Sequence, residues 1–179
     1  PAFNEENAIG KVINEIPKKI VRDIIVINNN STDQTPTKAK NASATVLDEL
    51  KQGYGNACLK GLSYLKSKPI KPDIVVFLDA DYSDYPSEMD QILKPIISQN
   101  KDLVIGSRTL GKKEKGALTP QQVVGNWLAT FLLKLFYGVK YSDLGPFRAI
   151  KYDSLLALNM KDQTYGWTVE MQVKAEKLD

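Results

Sequence analysis

Ile74-Val75-Val76-Phe77-Leu78-Asp79-Ala80-Asp81 is the stretch on which the fold turns. Five apolar residues in succession, three of them β-branched, have the composition of a strand buried on both faces. They stop at two carboxylates separated by a single residue. A strand of this kind belongs to a parallel sheet covered by helices.

The same rhythm continues on either side. Short β-branched runs predict strands over 24–28, 44–47, 74–78 and 103–106, and apolar spacing predicts helices around 6–17, 33–42, 55–66 and 86–98. Alternation of this sort gives an α/β fold with a mostly parallel central sheet flanked by helices. Ligands of such sheets bind beyond the carboxyl ends of the strands. There the first run meets Asn28, Asn29, Asn30, Ser31, Thr32 and Asp33, the third meets Asp79, Ala80 and Asp81, and the fourth meets Gly106, Ser107 and Arg108. Amides, carboxylates and a guanidinium are thereby predicted to gather on one edge.

The chain has 179 residues, enough for one domain with a real core. It reads as a single domain over 1–179. A formal charge of +3, with no dense Lys/Arg clustering, argues against nucleic acid as a partner. The single cysteine, Cys58, cannot form an internal disulfide and fits buried packing in a reducing compartment. No histidine is present, so any metal must be held by oxygen. The longest apolar stretch, 123–139, contains Asn126 and Lys134 and falls short of a bilayer span. The first residues read as a turn leaving a strand that would lie ahead of Pro1.

Asp79 and Asp81 at a strand end can hold a hard divalent cation, Mg²⁺ or Mn²⁺, together with substrate phosphates, because Mg²⁺ takes one or two carboxylates and leaves its other positions to phosphate and water. The bland reading of such a pair is a turn or a helix cap. Asp33 likewise reads as a helix cap. Gly53, Gly55 and Gly61 permit close backbone approach by a ligand or a neighbouring helix.

In this order the motifs resemble family 2 glycosyltransferases of the GT-A fold across nearly the whole chain. Pro1-Ala2-Phe3-Asn4-Glu5-Glu6 resembles the family's opening turn, 27–35 its D-D-x-S-x-D-x-T loop, and Lys51, Gly53, Gly55, Ala57 and Gly61 its K-x-G-x-G-x-A segment. Asp79 to Asp81 and Gly106-Ser107-Arg108 complete the series. One departure stands out: Asn28 and Asn29 occupy positions where two acids are usual. Asp143-Leu144-Gly145-Pro146-Phe147-Arg148, and the later Gly166-Trp167 with Glu170, are similar to segments of polyprenyl (dolichyl) phosphate sugar synthases within the family.

The resemblance implies a Rossmann-like nucleotide-sugar domain, with a nucleotide-binding half over about 1–110 and an acceptor half over about 111–179, that moves a hexose, with UDP-glucose as first candidate, onto a polyprenyl phosphate with inversion. It implies a donor site built from Pro1, Ala2, Phe3, Glu5, Asn29, Asp33, Gly53, Asp79, Ala80 and Asp81. The metal would sit on Asp81 with help from Asp79. Arg108 and Arg148 would face phosphates, since a guanidinium fork can bind two oxygens at once. If the acceptor were a sugar hydroxyl, Asp143 and then Glu170 would be the candidate bases.

The apolar segment 126–137, preceded by Lys112, Lys113 and Lys115, reads either as a peripheral contact with the cytoplasmic face of a membrane or as a core helix that follows a solvated loop. Two rivals remain open at this point. Residues 78–83 partly match a phosphohydrolase nucleophile motif, although Ser83 stands where Thr or Val is required. Asn28 and Asn29 motivate a binding module without catalysis.

Overall fold

Four of the β-branched runs form strands close to where their composition places them. The computed structural model describes residues 1–107 and 145–178. Its strands are β1 (Ile25–Asn28), β2 (Thr45–Asp48), β3 (Ile74–Phe77), β4 (Leu103–Ile105) and β5 (Arg148–Lys151). Its helices are α1 (Ile9–Glu15), α2 (Thr35–Asn41), α3 (Tyr54–Ser67), α4 (Met89–Gln99), α5 (Tyr152–Ala157) and α6 (Trp167–Glu176).

β1 and β2 run parallel, with Ile25 opposite Thr45 and Asn28 opposite Asp48. Ala2 adds a parallel bridge to Asn28: its amide donates to Ile27 O at 2.9 Å, and Asn29 N donates to Ala2 O at 2.8 Å. In the other sheet, β5 lies between β3 and β4 and is antiparallel to both, so β3 and β4 share a direction.

Strand β5 was not among the predicted strands, and the reason is physical. Arg148-Ala149-Ile150-Lys151 has one β-branched residue and follows Gly145 and Pro146. Only docking between two apolar neighbours makes it a strand, and it buries Ala149 and Ile150 completely. Helix α1 is shorter than expected because Ile16 turns extended, as the residue before Pro17 must. The helix expected from residue 86 opens with a 3₁₀ turn over Pro86–Glu88 before α4 begins.

The helices cover the sheets with the faces their spacing dictates. Cys58, Leu62 and Leu65 form the buried stripe of α3, and Met89, Ile92, Leu93 and Ile96 that of α4. Phe77 of β3 meets Trp167 of α6 with ring centroids 6.1 Å apart. Burial pushes the Cys58 thiol up to about 12, in keeping with a packing role. Among the described residues no helix is long and apolar enough to cross a membrane. The segments 111–116 and 126–137 lie outside the described residues.

Candidate active site

The opening turn and the loop after β1 are laced together by side chains that accept backbone amides. Ser31 Oγ accepts Asn4 N at 3.0 Å, Thr35 Oγ1 accepts Glu5 N at 2.7 Å, and Asp33 Oδ2 accepts Glu6 N at 3.1 Å. In return Asn4 Oδ1 accepts Thr32 N at 2.9 Å, and Glu6 Oε2 accepts Gln34 N at 3.2 Å. Asn4 and Asn30 hold positive φ, a conformation in which Asn is enriched. Asp33 also accepts the amide and the hydroxyl of Thr35, so both of its carboxylate oxygens are engaged by the protein.

The two asparagines that replace the usual acids are buried and engaged. Asn28 Nδ2 donates to Asp48 Oδ1 at 2.8 Å, tying β1 to β2 beyond the backbone ladder. Asn29 Nδ2 donates to the carbonyls of Glu49 (3.0 Å) and Lys51 (2.7 Å), while its Oδ1 accepts Gly53 N at 2.9 Å. A carboxylate here would point charge at two carbonyl oxygens. The amide therefore matches the loop it holds, and its two hydrogens are committed to protein.

Gly53 and Gly55 meet the segment between α5 and α6. Gly55 N donates to Thr164 O, and Asn56 N to Gln163 O, both at 3.0 Å. A Cβ on Gly53, whose φ is +137°, would stand 2.2 Å from Gln163 O, and one on Gly55 would stand 2.1 Å from Asp162 O. Glycine at both positions is thus set by backbone meeting backbone. Glu170 secures the same segment by accepting Asp162 N at 2.7 Å and Lys161 N at 3.0 Å, and it pairs with Lys174 at 2.7 Å. Desolvation pushes the Glu170 carboxyl up, but Lys174 and the two amides outweigh it and hold the pKa below 4.5.

These elements enclose a cavity of about 290 Å³. Pro1, Ala2, Phe3 and Glu5 line it from the opening turn, Asn29 from the end of β1, Gly53 from the start of α3, and Asp79, Ala80 and Asp81 from the end of β3. Gln52, Tyr54 and Tyr165 complete the wall. The carboxylates crowd one another. Burial first, and then repulsion from Asp81, Asp33 and Asp79, raise the pKa of Glu5. Burial and the neighbouring Asp79 carboxylate push the Tyr54 phenol well above its ordinary value.

Concentrated negative charge at the mouth of a small cavity suits a divalent cation. Among the described residues no three acids or cysteines are grouped to hold an ion by themselves. Asp79 and Asp81 fit a Mg²⁺-type site that takes two carboxylates and draws its remaining oxygens from a diphosphate.

A family model described as "Glycosyl transferase family 2" matches residues 1–156. The chain belongs to glycosyl transferase family 2. The UDP-N-acetylglucosamine--dolichyl-phosphate N-acetylglucosaminyltransferase of Methanococcus voltae is 29% identical over 198 residues, 99% of this chain and 78% of that protein. The low-salt glycan biosynthesis hexosyltransferase Agl6 of Haloferax volcanii is 32% identical over 149 residues, 80% of this chain and 35% of that one. In fold, the chain is similar to glucosyl-3-phosphoglycerate synthase of Mycobacterium tuberculosis, solved with Mn²⁺, UDP-glucose and phosphoglyceric acid. The TM-score is 0.75 at 24% identity, covering 96% of this chain and 61% of that one.

Within this family 2 framework some predicted site residues stand apart from the cavity. Arg148, expected to face a phosphate, is fully buried; its guanidinium donates to the carbonyls of Gly145 and Thr168, and it is absent from the cavity wall. Glu170, the second candidate base, is tied to the 161–162 amides and is likewise absent from that wall. Arg108 and Asp143 lie outside the described residues. Gln52, Tyr54 and Tyr165 were missed. Gln52 and Tyr54 flank Gly53 inside the K-x-G-x-G segment, so attention to the motif's variable positions could have found them. Nothing in the local sequence marks Tyr165.

Proposed function

We propose that this chain transfers a hexose from a nucleoside diphosphate sugar, with UDP-glucose as first candidate, to a polyprenyl phosphate with inversion. One observation carries this reading: the opening turn, the end of β1 and the Asp79–Asp81 turn of β3, far apart in sequence, line one cavity. Uridine is favoured because the donor named for the Methanococcus relative and the donor bound in the Mycobacterium structure are both UDP sugars. The lipid acceptor is favoured by the dolichyl phosphate in the former name.

Asp81, with Asp79, would hold Mg²⁺ or Mn²⁺, which would supply charge neutralisation for the departing nucleotide. Phe3, 48% exposed, and the Asn29-supported loop flank the nucleoside. An acceptor phosphate oxygen forms the new bond to the anomeric carbon while the bond to the diphosphate breaks, and the diphosphate leaves with the electron pair. A phosphate oxygen already ionised near neutral pH needs no strong base, which agrees with a chain that lacks histidine. Arg148, behind the site, contributes fixed positive charge that acts on Tyr54. Arg108 binds phosphate, and the segments 111–116 and 126–137 meet the cytoplasmic face of the membrane.

A second reading, a hydroxyl acceptor, is favoured by the phosphoglyceric acid in the Mycobacterium complex. In that case Asp143 takes the proton, because the Glu170 carboxylate is already occupied.

The test is nucleotide release from UDP-glucose, UDP-N-acetylglucosamine and GDP-mannose, with Mg²⁺ or Mn²⁺, with and without a polyprenyl phosphate. Release that requires both metal and lipid is expected, and Asp81→Ala should lower it roughly a hundred-fold or more. Undiminished turnover by that variant would overturn the metal assignment. Release that ignores the lipid but responds to a hydroxyl acceptor would favour the second reading.

A further inference from the structure

We infer that Tyr165 is a donor-positioning residue whose ring packs on a flat face of the bound nucleotide sugar. The inference rests on the proposed donor site and adds to it a wall supplied by the far end of the chain.

The segment that carries Tyr165 is firmly built. Two backbone bonds dock it on the start of α3, at a distance that only glycine at positions 53 and 55 allows. Glu170 takes two of its amides, and Asp162 Oδ1 accepts Thr164 N at 2.7 Å. With so much structure holding it in place, the segment leaves one large side chain bare: Tyr165 is 87% exposed, the most exposed of the large hydrophobic residues described. Tyr165 stands in the wall of the same cavity as Phe3, Asp79 and Asp81.

An aromatic on an already ordered backbone loses only side-chain freedom on meeting a ligand, because the segment that carries it is held beforehand. Its partner must offer a flat, weakly polar surface. A nucleoside diphosphate sugar has two such surfaces, the base and the apolar face of the pyranose, joined by the diphosphate that Asp79 and Asp81 are placed to receive. Stacking on an aromatic ring is substantial for a base and tolerant of which base it is.

The experiment is calorimetric titration of UDP and UDP-glucose, with Mn²⁺, into wild type, Tyr165→Ala and Tyr165→Phe, alongside steady-state kinetics. Tyr165→Ala is expected to keep the wild-type Tm, since the ring is exposed, and to bind UDP-glucose roughly ten-fold more weakly or worse. Its KM for donor should rise while kcat holds. Tyr165→Phe should stay near wild type, because the ring and not the hydroxyl makes the contact. Weaker binding of UDP as well assigns the ring to the base, and weaker binding of UDP-glucose alone assigns it to the sugar. Unchanged donor affinity in Tyr165→Ala, an equal loss in Tyr165→Phe, or an effect confined to the KM for the acceptor would each overturn the inference. Wild type that binds neither these ligands nor GDP and GDP-mannose would instead overturn the donor-site reading, and this inference with it.

Discussion

The cavity has two walls that are held by different means. The Pro1–Glu6 wall rests on side-chain oxygens: Ser31, Asp33 and Thr35 accept its amides, and Asn4 and Glu6 answer. The wall over 161–166 rests on backbone docked at Gly53 and Gly55, with Glu170 as its anchor. In the first, each bond depends on one side chain and its loss is local. In the second, two chain segments touch, and any added atom must separate them.

The sharpest way to break the comparison is Gly55→Ala. Its new Cβ would meet Asp162 O at 2.1 Å, backbone that cannot swing aside as a side chain would. A loss of about 3 kcal/mol is expected in urea unfolding, despite the better helix propensity of alanine. A cost under about 0.5 kcal/mol would mean that the 161–166 wall yields easily.

Asn29→Asp probes the tie between the end of β1 and the loop over 49–53 that leads into the second wall. Two donor bonds to the Glu49 and Lys51 carbonyls would be replaced by repulsion, while the contact with Gly53 N could survive. A destabilisation of about 1–3 kcal/mol is expected, read from denaturant midpoints at pH 7. An Asp variant as stable as wild type would show that the loop over 49–53 can rearrange around an acid.

The smallest effect concerns pH. The folded pKa of Glu170 lies below 4.5, so the unfolded chain takes up its proton first as the pH falls. The stability that this carboxylate contributes is complete above about pH 4.5 and is lost as the pH drops through the folded value. Glu170→Gln should therefore lose less stability than wild type on acidification through that window, as measured by thermal unfolding at stepped pH. Identical acid limbs for the two proteins would remove Glu170 from the account of this wall.

Legibility in the sequence follows the same division. Strands β1 and β3, the two carboxylates after β3, and the polar loop after β1 were all visible, because a run of buried β-branched residues and the turn residues behind it are properties of neighbours in the chain. Strand β5 was not visible, since Arg148 to Lys151 becomes a strand only between β3 and β4. The buried place of Arg148 was unreadable for the same cause: a guanidinium suited to phosphate satisfies backbone carbonyls equally well, and burial decided which it met.

Composition and order along the chain by themselves established an α/β fold and the acids at the end of β3, and the resemblance of its motifs pointed to family 2 glycosyltransferases. The tertiary structure alone decided that Gly53 and Gly55 meet the segment before α6, that Asn29 is committed to a neighbouring loop, and that Tyr165 stands at the cavity. Local sequence controls what a segment can become through propensity and periodicity, whereas contacts between segments a hundred residues apart depend on how the faces of the whole fold pack.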